Sequence, residues 1–157
     1  MKQSPQMDKI QHEMRPGGLT RDGLLGGDRR KLIEILTDDD ELVKRLGQSH
    51  KNIARRMQEL RDAGMKGLGN FVAVSPDIEV RVDSIRGKLP CPFTHPGIYR
   101  KTNITVRNTR LREVTIYTDL NVHMIEEHGF YEGRGAVFRL EPKDLIAILE
   151  IARSVSD

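Results

Sequence analysis

The sequence predicts an α+β fold: an N-terminal three-helix module, then a mostly antiparallel sheet carrying two short helices. Three observations predict it. Between residues 28 and 63 apolar residues recur at helical spacing. After Gly64, Gly67 and Gly69 the period switches to two. Towards the C-terminus, two short apolar stretches carry helix-start signals. The boundaries read from these changes are a disordered tail at 1–22, a helical module at 28–65 and an α+β domain at 70–155.

Residues 1–22 mix Gln, Pro, Gly, Met and charge without a period, and Pro16-Gly17-Gly18 halts any helix begun earlier. Asp28 is placed to cap a helix carrying Leu32, Ile33, Ile35 and Leu36. The run Asp38-Asp39-Asp40 is placed to cap a second with Leu42, Val43 and Leu46, which Gly47 ends. Ser49 can cap a third, whose Ile53, Met57 and Leu60 recur at i, i+4 and i+7 until Ala63-Gly64 closes it.

Phe71–Val74 and Ile78–Val82 flank the Ser75-Pro76-Asp77 turn as a first hairpin, and Ile104–Arg107 and Val114–Tyr117 alternate as a second. A long loop marked by Pro90, Pro92 and Pro96 separates them. Thr118 or Asp119 can cap a helix over 119–128 with Gly129 at its left-handed end. Ala136–Leu140 reads as a further strand, and Glu141-Pro142 opens the closing helix.

Composition excludes several classes. With 37% hydrophobic residues in 157, a modest core is affordable. A lone Cys91 rules out an internal disulfide and suits a reducing compartment, so a cytoplasmic location is expected. The N-terminus shows no signal-peptide apolar region. The most apolar stretch, Leu145–Ala152, is too short to span a bilayer and is broken by Glu150, so no membrane partner is expected. Oligomeric state is left open.

Two patterns carry chemistry. In the first, Cys91 and His95 stand four positions apart in a Pro-rich loop, and His123 and His128 lie on the helix 119–128. A loop pair and a helix pair of N and S donors can supply the tetrahedron that zinc prefers, so Cys91, His95, His123 and His128 are the candidate ligands and zinc the candidate cofactor. Five residues turn an ideal helix through roughly 500°, so the two helix imidazoles converge only if the last turn loosens. The competing reading is a small buried Cys and a solvated His face. With three ligands and a bound water, Glu126 or Glu127 could serve as general base, giving a small metal-dependent hydrolase as the alternative function. The glycines of Gly129–Gly135 read as turn formers, with Phe130 or Tyr131 packing on the core.

In the second pattern, Glu41–Arg45, the Leu46-Gly47 turn, Ser49 and the apolar Ile53, Met57 and Leu60 ahead of Gly64 resemble the helix-turn-helix of winged-helix DNA-binding domains over 41–64. The resemblance implies a recognition helix at 49–62, with Ser49, His50, Lys51, Asn52, Arg55 and Arg56 nearest the DNA. Gln48 departs from it, because the family has a buried apolar residue there. Independently, Arg100, Lys101, Arg107, Arg110 and Arg112 concentrate positive charge that suits phosphate, although the net charge is only +3. The expected function is a non-enzymatic domain for an anionic partner, nucleic acid first among them, stabilised by zinc. A protein-interaction module without chemistry is the third reading.

Overall fold

The structure is a computed structural model that describes residues 2–20 and 23–153. Three helices come first: α1 (Pro5–Glu13), α2 (Leu32–Arg45) and α3 (His50–Met65). They are followed by strands β1 (Val72–Ala73), β2 (Ile78–Pro90), β3 (Ile98–Asn108) and β4 (Glu113–Thr118), then α4 (Asp119–His128) and α5 (Pro142–Ile148). The strands form one antiparallel sheet in the order β1-β2-β3-β4. The fold is therefore α+β, with helices ahead of the sheet and two short helices after it.

Several elements differ from expectation. Over its described residues the tail is not featureless: Ser4 caps α1 by accepting from the Met7 N–H at 3.1 Å, and Ile10 and Met14 are buried. Burial of that one apolar edge outweighs a composition without a period. Residues 1, 21 and 22 of the expected tail lie outside the described residues. The two helices expected over 28–46 are one, because Asp38–Asp40 sit mid-helix, where Asp39 pairs with Arg139 and Asp40 with Lys44 and His50. Asp28 does not cap it. Its carboxylate is buried and accepts from Arg30 and from the Arg134 N–H.

The strands β2 and β3 run further than their apolar alternation and pair directly, so the expected long loop shrinks to residues 91–97 and the two hairpins become one meander. A register shift between Ile85 and Lys88 divides this ribbon. No strand forms over 136–140. The Leu140 N–H instead reaches the Tyr131 carbonyl at 3.1 Å, folding the segment back on itself.

Two apolar clusters organise the interior. In the larger, Ile53, Met57 and Leu60 of α3 pack on Ile78, Val80, Ile104 and Val106 of the sheet. Gly64 does not close α3. It lies inside the helix against β2, where a Cβ would stand 2.7 Å from Val80 Cγ1, so only glycine lets helix and strand approach this closely. The smaller cluster joins Ile10 and Met14 to Leu32, Ile35, Leu120, Met124 and Phe130. Helix α4 lies between the two, giving Val122 and Ile125 to one cluster and Leu120 and Met124 to the other.

Candidate metal centre

Helix α4 is fixed at both ends. Thr118 accepts from the Asn121 N–H at 3.2 Å while Asn121 Oδ1 accepts the Thr118 N–H at 2.9 Å, a reciprocal cap. At the far end Gly129 takes φ +61°, and the Phe130 N–H reaches back to the Met124 carbonyl at 3.1 Å. The helix is regular through His128. His123 and His128 therefore converge through side-chain reach, without the loosening of the last turn that their spacing seemed to require.

Opposite them, the β2–β3 loop supplies Cys91. Its turn is closed by the Thr94 N–H on the Cys91 carbonyl at 3.1 Å, with Thr94 in a left-handed conformation at φ +63°. Cys91 Sγ, one nitrogen of His123 and one of His128 lie within 4.8 Å of one another. Sγ stands 3.4 Å from His128 Nε2.

His95 is exposed and outside this close triad, yet its ring centroid lies 4.9 Å from that of His123 and 5.6 Å from that of His128. The His123–His128 separation is 5.4 Å. The His95 ring therefore stands beside the triad, while only Cys91, His123 and His128 bring donor atoms together.

The surroundings prepare these side chains. The Tyr99 hydroxyl and His123 Nδ1 are 2.9 Å apart, which fixes the ring and leaves Nε2 buried with no partner among the described residues. Phe93 stacks on His128 at 4.2 Å. Burial, reinforced by the neighbouring imidazoles, lowers the proton affinity of both helix histidines, that of His128 to about 4. At neutral pH both rings are therefore uncharged, the form that binds metal. The orphaned His123 Nε2 and the S/N donor set fit a borderline-soft divalent ion. Glu126 and Glu127 are exposed, and neither hydrogen bonds to the cluster among the described residues.

Tyr99 and Phe93 carry no sequence signal beyond position, since one is the second residue of β3 and the other sits between Cys91 and His95.

The basic residues are placed on separate elements. Ser49 caps α3, accepting from the Asn52 N–H at 3.1 Å. Asn52 donates to Gln48 Oε1 at 2.7 Å and to the Ala152 carbonyl at 3.4 Å, and Arg56 Nε to the Leu149 carbonyl at 2.9 Å, so both serve the C-terminal end of the fold. Gln48 is buried and donates to the Ala152 carbonyl at 2.8 Å, which is how a polar residue is accommodated there. His50 bridges Asp40 and the Tyr131 hydroxyl at 2.8 and 2.9 Å.

Arg107 is paired with Glu79 and lies over the Phe71 ring at 3.9 Å. Arg110 is shared between Asp77 and Glu150 at 3.7 and 3.6 Å. Lys51, Arg55, Arg100, Lys101 and Arg112 are exposed, with no ion pair among the described residues.

No family model, curated protein or solved structure matches this chain. None of its described helices is long and apolar enough to cross a membrane.

Proposed function

We propose that the protein is a non-enzymatic, zinc-stapled binding domain for a polyanion. The observation that carries this reading is the convergence of Cys91, His123 and His128, with His123 Nε2 buried and unpartnered among the described residues. With His95 as fourth ligand the site is closed and structural, tying the tip of the β2–β3 hairpin to the end of α4. The purified protein is expected to carry about one equivalent of zinc. Cys91→Ser and His123→Ala should each lose it, and metal-free protein with unchanged thermal stability after chelation would overturn the reading.

For the partner, the support is the cations that are exposed and free of ion pairs among the described residues: Lys51 and Arg55 on α3, Arg100 and Lys101 on β3, and Arg112 in the β3–β4 turn. The helix-turn-helix resemblance over 41–64 assigns α3 to DNA. Binding to random duplex DNA should weaken steeply with salt, because each neutralised phosphate releases a counterion. Lys51→Gln with Arg55→Gln should flatten that salt slope by about two. Binding that ignores both salt and these substitutions counts against nucleic acid as the partner.

A further inference from the structure

Beside α4 a half-open cavity of about 310 Å³ is lined by β2, β3, α4, the segment that follows it, and Thr20, Gly23 and Leu24. Leu89, Leu120, Met124 and Phe138 give it apolar walls, and Lys101, Asn121 and Glu132 bring polar groups to it. Glu132 is the unusual member. It is only 3% exposed, and its backbone is left-handed at φ +68°, a conformation that a non-glycine residue adopts at a cost.

One carboxylate oxygen accepts from Asn121 Nδ2 at 2.6 Å, and the other has no hydrogen-bond partner among the described residues. The nearby guanidinium of Arg139 does not neutralise it. That group is engaged by Asp39 and Glu141, and it donates to the Glu132 backbone carbonyl at 2.8 Å. Burial pushes the Glu132 carboxyl up to about 7, against the opposing pull of the Asn121 hydrogen bond and Arg139. A carboxylate on a buried residue, with one oxygen unpartnered among the described residues, in a largely apolar cavity and on a strained backbone, is arranged to receive a cation from outside the protein.

We propose that this cavity binds a small molecule bearing a protonated primary amine on an apolar body, its ammonium on Glu132 and its body against Leu89, Leu120 and Met124. An ammonium supplies the donors that the spare oxygen lacks and compensates the buried charge. A carboxylate ligand would meet like charge there, and a neutral one would leave the buried carboxyl to be compensated only by its own proton. Lys101, which also lines the cavity and is free of ion pairs among the described residues, offers an anchor for an anionic second end. An apolar α-amino acid should therefore bind more tightly than the corresponding bare amine.

The test titrates the full chain with L-leucine, isoamylamine and isocaproate, followed by calorimetry and by amide chemical shifts. Leucine and isoamylamine are expected to bind, leucine more tightly, and to move the signals of Asn121, Met124 and Glu132, whereas isocaproate leaves them in place. Glu132→Gln keeps an acceptor for Asn121 and should weaken both ligands roughly 10- to 100-fold. Lys101→Gln should bring leucine down to the level of the amine. Ile85→Trp, at a half-exposed wall position, should block both without unfolding the protein. Absence of binding by leucine and by the amine, isocaproate binding as well as leucine, or affinities unchanged in Glu132→Gln would each overturn the proposal.

Discussion

The β2–β3 ribbon has two halves held by different physics. Up to Ile85, β2 pairs with Lys101–Asn108 of β3, and its inward side chains Ile78, Val80 and Val82 meet Ile104, Val106 and helix α3 in a dry core. Tyr117 seals this core by donating to the Met57 carbonyl at 2.7 Å. Beyond the register shift, Lys88–Pro90 pair with Ile98–Arg100, where only Leu89 and Tyr99 are half-buried. That outer half ends in the Cys91 loop, whose contacts with α4 are the histidine cluster, Tyr99 and Phe93. Where apolar surface is available, burial holds the ribbon and needs no ligand. Where it is sparse, the strands lean on the smaller cluster through Leu89, Phe93 and Tyr99 and end on three donors, Cys91, His123 and His128, that could hold a metal ion.

The sharpest break in the comparison is a cavity in the inner half. Ile104→Ala should cost about 2–5 kcal/mol in a urea melt, and the loss should be the same with and without a chelator. A chelator-dependent loss would mean that the halves are not separate.

Next in size is Glu132, whose burial works against stability. Its carboxyl is raised from the ordinary 4.5 to about 7, so the folded state holds a proton that the unfolded state has lost between those values. Stability from this group is therefore greatest below about pH 4.5 and falls as pH rises to about 7, by about 3 kcal/mol. Glu132→Gln should raise the melting temperature at pH 8 and leave it nearly unchanged at pH 4. Equal effects at both pH values would remove the buried charge from the account. The smallest effect is at Tyr99. Tyr99→Phe removes the hydroxyl beside His123 Nδ1 and should weaken zinc binding about tenfold, with the inner half unaltered.

What could be read from sequence follows the same division. Helix α4 with its Thr118 cap and Gly129 end was legible, because capping residues act locally. So were the strands that alternate, since alternation records a buried face. The outer ribbon was not, because Lys88, Pro90, Ile98 and Arg100 are exposed and therefore leave no period. Helix α1 and the continuous α2 were missed because they depend on partners distant in sequence: Gln11 accepts the Leu32 N–H at 2.9 Å, and Arg139 pairs with Asp39 in the middle of α2. The four metal-ligand candidates stood out by residue type. Their support did not, because Tyr99 and Phe93 read as ordinary aromatics, and Glu132 as a loop acid, until burial is known.

Whether a metal holds the outer half of the ribbon to α4 is read by hydrogen exchange on the full chain with and without one equivalent of zinc. Zinc is expected to slow exchange at Leu89, Tyr99 and the last turn of α4, to leave the amides of Val80 and Ile104 unchanged, and to have no effect in Cys91→Ser. Zinc that binds without slowing exchange in the outer half, or slows it equally in Cys91→Ser, would mean that no metal fastens this half to α4.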